Sequence, residues 1–187
     1  DKFQKQEWIM GIAFGLSQTI VLNLEAWSVH ITSATNGGLI IALAIITVPI
    51  LESAWRKNWL PYKFFIATSV AVIGLALLIM GNGFVQPNIG DLFMFIAMVL
   101  RTFHFVILGR LTQGKSYSPV NLTTVMVSTS GLIMLLLNPV EAVHTASNYN
   151  AGNWTSMLFL SLLCTSFAFI GMNWAVKHTR SEERRVG

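Results

Sequence analysis

A few polar side chains stand out in this chain, because each could carry charge or proton chemistry where little else is polar. Arg101 and His104 are the only ionisable residues between Asp91 and Arg110. In a helix, a spacing of three puts both on one face. There the planar guanidinium could take a carboxylate or a phosphate through two parallel hydrogen bonds, with His104 beside it. The best acidic counterpart is Glu25. Gly11, Gly15, Gln18, Leu22 and Glu25 recur at intervals of three and four, forming one small-to-polar helical seam. Gly11 and Gly15 would let a neighbouring helix approach closely. Gln18 and Glu25 could then face a cavity, and Glu25 could exchange a proton there. Structural alternatives stand beside these roles. Arg101 could pair with an acid or with backbone carbonyls, and Glu25 could reach water from near its helix end. A salt bridge between Glu25 and Arg101 would satisfy both and weaken the case for direct ligand contact by either.

The elements that position these residues are six apolar stretches, at roughly 9–29, 35–55, 64–81, 91–110, 119–138 and 155–176. Stretches of about 18–22 residues, at about 1.5 Å rise per residue, match a hydrocarbon core about 30 Å thick. Charged residues make up 11% of the 187 residues, well below the share in soluble domains. The mean hydropathy is +0.61. The expectation is an all-α polytopic membrane protein with six transmembrane helices. A charged group at bilayer depth costs about 3 kcal/mol on insertion scales, so Arg101 needs a partner or a wet cavity.

Charge sets the orientation. Lys2 and Lys5 precede the first span; Arg56, Lys57 and Lys63 follow the second; Arg110 and Lys115 follow the fourth; Lys177 follows the sixth. The connections 30–34, 82–90 and 139–154 hold no Lys or Arg. Basic residues are retained on the cytoplasmic side, which places residues 1–8 in the cytoplasm. The net charge of +4 therefore reflects topology and does not indicate a nucleic-acid surface. Trp8, Trp55, Trp59, Tyr62, Trp154 and Trp174 fall near span ends, where amphipathic rings favour the headgroup layer.

The remaining polar residues read as structural. Glu52 and Arg56 have i,i+4 spacing for a surface pair. Asp91 suits a helix N-terminus. Pro49 removes a backbone hydrogen bond deep in the second span and should bend it, as a hinge or a cavity-shaping kink. Thr165, Ser166 and Asn173 are mild polar candidates, though hydroxyls often bond their own helix backbone. Cys164 is the sole cysteine and packs as a small apolar residue. Asn121-Leu-Thr and Asn153-Trp-Thr fit the glycosylation pattern by chance. His30 and His144 are too far apart in sequence to argue for a metal. No catalytic constellation, cofactor motif or metal-ligand spacing is visible.

The segments 27–32 (WSVHIT) and 174–179 (WAVKHT) are alike at four of six positions and end the first and sixth spans. Five spans separate them, so the two copies cross in opposite directions, as inverted-topology repeats do. Together with three further runs, this pattern resembles the EamA-type members of the drug/metabolite transporter superfamily. The run TNGGLIIALAIITVP at 35–49 resembles that family's fourth span. VIGLALL at 72–78 resembles its fifth, and GDLFMFIA at 90–97, ending in GRL at 109–111, the opening span of its second repeat. The resemblance implies ten helices in two inverted five-span repeats, of which this chain would be a fragment carrying spans three to eight. Residues 1–81 would be the last three spans of the first repeat and 82–179 the first three of the second. The sequence departs from the family in lacking an acid at 56–60, and in carrying Arg101 and His104 where aromatic and small residues are common. Residues 180–187 (RSEERRVG) read as a non-native sequencing-adapter tail.

The function implied is a secondary transporter, a permease or exporter in the bacterial inner membrane, moving small metabolites or drugs by alternating access. Arg101, His104, Glu25 and Gln18 would contact an anionic or zwitterionic substrate. Proton or ion coupling and a homodimer are compatible with this reading. A membrane-embedded enzyme and a non-transporting scaffold subunit are the alternatives. As a six-span piece, the polypeptide alone is not expected to catalyse saturable uptake. Sequencing the source DNA outward should reveal two further spans beyond Thr179, the first with a late proline like Pro49. A stop codon directly after Gly187 would make the tail genuine.

Overall fold

The structure, a computed structural model, describes residues 4–57, 59–80, 86–112, 115, 117–167 and 170–171. Every regular element among them is helical: α1 (Lys5–Ile31), α2 (Ala34–Ala42), α3 (Ala44–Arg56), α4 (Tyr62–Met80), α5 (Ile89–Thr112), α6 (Pro119–Leu137), α7 (Pro139–Asn148) and α8 (Ala151–Phe159). A π-helical segment, Leu160–Phe167, follows α8. Four stretches of the described residues are long and apolar enough to cross a membrane: Lys5–Ile31, Thr35–Arg56, Ile89–Thr112 and Val120–Leu137. The expected third span falls on α4. The expected sixth falls on α8 and the π-helix and continues into residues outside those described, as do Asn173, Trp174, His178 and 180–187.

Two features of the helix pattern have local causes. The second span is interrupted at Leu43, six residues before Pro49, where the Leu43 N–H turns to the Ile40 carbonyl at 3.1 Å. Pro49 itself lies inside α3, the fourth residue after Ile45, whose carbonyl it cannot serve. The connection 139–154 holds α7 and the start of α8. Asn138 leaves helical geometry at φ −135°, and Pro139 then occupies the first helical position, where a missing N–H costs nothing. Asn150 caps α8 by accepting from the Asn153 N–H at 2.8 Å.

The chain divides into two compact units, Asp1–Thr19 with Gly114–Gly187, and Ile20–Gln113, so α1 contributes its first turns to one and the rest to the other. In the first unit, α1 lies against α6 through its glycines. A Cβ on Gly11 would stand 2.6 Å from Val125 Cβ; one on Gly15 would stand 2.7 Å from Thr129 Cβ and 2.8 Å from the Met126 carbonyl oxygen. Phe14, Leu122, Val125 and Met126 are buried there. Small residues let two backbones approach where lipid supplies no hydrophobic drive to association.

Glu7 anchors the same pair of helices at their starts. Its carboxylate accepts from the Gln4 N–H (3.0 Å), the Ser118 N–H (2.7 Å) and the Asn121 side-chain amide (3.1 Å), while Tyr117 donates to Gln6 at 2.9 Å. Helix N-termini leave N–H groups without intrahelical partners, and one buried carboxylate serves two of them here.

In the second unit, α2 and α3 pack on α5, and α2 also meets α4. Met94, Ala97, Met98, Val106 and Leu108 form the buried face of α5. Asn88 and Asp91 build a capping box at its start: Asn88 Oδ1 accepts from the N–H groups of Gly90 (2.8 Å) and Asp91 (3.3 Å), and Asp91 accepts from the Asn88 N–H at 2.8 Å. The same carboxylate accepts from the Thr32 hydroxyl at the end of α1 and from Asn36 at the start of α2. Asn88 also donates to the Ile31 carbonyl. Gly90 permits this approach, since a Cβ there would lie 2.7 Å from Thr32 N.

The α1–α6 contact has a direct test. Gly15→Ala is expected to lower stability in detergent by about 1–3 kcal/mol, because a backbone oxygen must move to admit the methyl. Gly38→Ala, where a Cβ meets nothing within 4 Å, should be neutral or slightly stabilising. Thermal unfolding followed by tryptophan fluorescence would separate the two.

Candidate functional site

The charged residue deepest in the apolar helices has a partner. Arg101 is the thirteenth residue of α5, about 18 Å from its start at 1.5 Å per residue. Its Nε donates to Glu25 Oε1 at 2.7 Å and its Nη2 to Glu25 Oε2 at 2.5 Å. This is the parallel two-bond fork that a planar guanidinium makes with a carboxylate. The side chains keep 18% and 11% of their exposure, so the pair is mostly enclosed yet reachable. Each partner offsets the other's charge in a setting where either alone would be costly.

The pair sits on well-fixed helices. Trp27, two residues after Glu25, packs edge-on against Phe93 of α5 with ring centroids 4.6 Å apart. On the other side of Arg101's backbone, Thr102 bonds the Met98 carbonyl (2.9 Å), and its hydroxyl lies 2.8 Å from that of Thr47 on α3. Thr47 stands two residues before Pro49, so this hydroxyl contact joins α5 to the proline-bearing helix. His104 is buried, and its ring meets Phe105 edge-on at 5.4 Å.

Of the four residues expected to contact a ligand, the structure joins Glu25 and Arg101 directly. His104 follows one turn along α5 in the same unit. Gln18 is buried in the other unit, on the part of α1 that carries Gly11 and Gly15. Glu52 and Arg56 form the i,i+4 pair that their spacing suggests, at 3.0 Å. Thr165 and Ser166 bond carbonyls five residues back, those of Leu160 and Ser161, as the wider π-helical turn requires.

Sequence reading missed the reach of Glu7 and Asp91. For Asp91 a signal existed: Asn88-Ile-Gly-Asp91 before an apolar run has the spacing of a capping box. Glu7 had only a weak one, since its partners Ser118 and Asn121 are more than 110 residues away.

The all-α architecture, the apolar helices and a neutralised ion pair within two of them define a multi-pass membrane protein. A family model matches residues 88–184, a little over half of the chain, and the chain belongs to the EamA-like transporter family. No curated protein and no solved structure matches the chain.

The geometry predicts a coupling that neither residue alone would reveal. Glu25→Gln or Arg101→Gln should each destabilise the protein by about 3–5 kcal/mol, by leaving one buried charge uncompensated. The double substitution should cost less than the sum of the two, measured as a double-mutant cycle on unfolding in detergent.

Proposed function

We propose that this chain is part of a secondary transporter that moves small metabolites or drugs across the cell membrane by alternating access between two inverted repeats. The observation that carries the reading is the Glu25–Arg101 pair, held between two apolar helices of a chain whose family consists of transporters. A transport path needs polar groups at depth that can change partners, and a paired acid and base can do so without leaving a bare charge at any step. In this reading the pair opens to admit an anionic or zwitterionic substrate, and Glu25 can take a proton as it lets go of Arg101. His104 and Gln18 supply further polar contact, and the interruption at Leu43 together with Pro49 lets the second span flex.

The reading includes six spans in this chain, α4 and the α8–π-helix segment being the two beyond the four long apolar helices. It also includes residues 1–8 on the cytoplasmic side and residence in a bacterial inner membrane. Two carboxylate-capped helix starts, at Glu7 and at Asn88–Asp91, are compatible with rigid groups of helices that rock as bodies. No step calls for a cofactor.

The test is flux. Vesicles from cells expressing the whole coding sequence that contains this chain should show saturable, protein-dependent movement of a small solute that emerges chemically unchanged. Arg101→Gln, with folding verified by helical content, should reduce the rate at least tenfold. A chemically altered product would favour the membrane-embedded enzyme. Unchanged flux in Arg101→Gln would remove the pair from the site, and no flux for any solute would overturn the transporter reading.

A further inference from the structure

One hydroxyl in the second unit departs from the behaviour of the others. Thr102, Thr112 and Thr124 each donate to the carbonyl four residues back on their own helix. The Thr47 hydroxyl instead reaches across from α3 to α5, where it lies 2.8 Å from the Thr102 hydroxyl and 3.5 Å from the Met98 sulfur. A count of protons fixes the direction of this bond, since a hydroxyl has one to give. Thr102 gives its proton to the Met98 carbonyl at 2.9 Å. Thr47 is therefore the donor and Thr102 the acceptor. Thr102 and Met98 are both buried, so the bond ends in a dry contact between two helices.

The bond falls where the backbone of the second span is least constrained. At Leu43 the N–H turns to the Ile40 carbonyl, and Pro49 has no N–H to offer the carbonyl of Ile45. Residues 44–48 lie between these two interruptions, and Thr47 is the one polar side chain among them. Its bond to Thr102 thus holds a segment whose own hydrogen-bond ladder is incomplete at both ends. Thr47 also has a second place for its proton. In a helix, rotation about one torsion turns a threonine hydroxyl onto the carbonyl three or four residues back. Such back-bonding often bends the helix. The carbonyl four residues back is that of Leu43, which already accepts the Thr47 N–H at 2.9 Å and sits at the existing interruption. Thr47 can leave α5 without stranding a buried donor.

We infer that Thr47 is a positioning residue for transport, a hydroxyl latch that holds the proline-bearing helix on α5 in the arrangement seen here. On release, the hydroxyl turns back to the Leu43 carbonyl as α3 bends. Thr102 follows Arg101 directly in α5, so a movement of α5 that opens the Glu25–Arg101 pair also moves the acceptor of the latch. The two contacts differ in kind. The ion pair carries charge and can meet a substrate, whereas the latch carries none and is closed between helices. Thr47 therefore governs how readily the second span bends and not what is bound. The positioning role rests on the transporter reading; the bond itself is measurable without flux.

Amide hydrogen exchange on the protein encoded by the whole coding sequence, in detergent, reads the latch directly. Thr47→Val keeps the shape and removes the proton. Exchange across residues 44–48 should rise about fivefold, the shift that loss of one neutral hydrogen bond produces. Thr102→Val removes the acceptor and should do the same, and the double substitution should add little to either. Thr47→Ser should restore wild-type exchange. Thr112→Val removes a hydroxyl that bonds only its own helix, and should leave residues 44–48 unchanged. In vesicles, Thr47→Val should lower turnover per folded molecule about fivefold, with KM for the solute within twofold of wild type, and Thr47→Ser should recover it. Unchanged exchange in Thr47→Val, or additive effects of the Thr47 and Thr102 substitutions, would overturn the latch. Raised exchange with unchanged turnover would overturn its role in transport. Absence of flux in the wild type would end the transporter reading and the positioning role with it, while the exchange data would still decide the bond.

Discussion

A hydrocarbon medium offers no hydrogen bonds, and that constraint governs nearly every polar contact in this protein. A polar group within it must find a partner inside the fold or remain at large cost. Hydroxyls meet the demand locally: Thr19, Ser28, Thr102, Thr112 and Thr124 each bond the carbonyl four residues back. Arg101 cannot do so, because a full charge needs an opposite one. Its pairing with Glu25 therefore ties α5 to α1. The ion pair and the hydroxyl bonds are two answers to one problem, graded by the charge to be satisfied.

The helix ends obey the same rule with different chemistry. Each helix start exposes N–H groups that its own turns cannot serve. In one unit Glu7 serves its own helix start and that of α6. In the other, Asp91 serves the start of α5 and also binds Thr32 and Asn36. One carboxylate in each unit thus caps a helix and fixes its neighbours. Both acids are buried, and both lie at N-termini where the helix dipole favours negative charge. Glycines complete these contacts, Gly11 and Gly15 in one unit and Gly90 in the other, because an added Cβ would collide at each.

The alternating access proposed for this member of the EamA-like transporter family would give these features a common purpose. A protein that changes shape in a membrane needs bodies that stay intact and a few contacts able to exchange. Carboxylate caps and glycine contacts suit the first need. An ion pair with some residual exposure suits the second, because charge stays balanced whichever partner each member takes. The interruption at Leu43 and the proline at 49 fall in the helix whose Thr47 meets Thr102, one residue from Arg101.

Much of this was legible in the sequence. Length and apolar runs called for membrane helices, because bilayer thickness sets the length of an element regardless of its neighbours. The family resemblance was legible from the run at 90–97, which lies within the matched residues 88–184. The i,i+4 pair of Glu52 and Arg56 was also readable, being a property of one helix. Residue types further identified Arg101 and Glu25 as groups in need of partners, with each other as one solution. What the tertiary structure decided was which solution holds, since 76 residues separate the two and only helix packing brings them within 2.7 Å. It also decided that Glu7 meets Ser118 and that the second span tightens by a turn at Leu43 ahead of its proline. Spacing along a chain reports the face of a helix, whereas contact between helices depends on how those faces are set against one another.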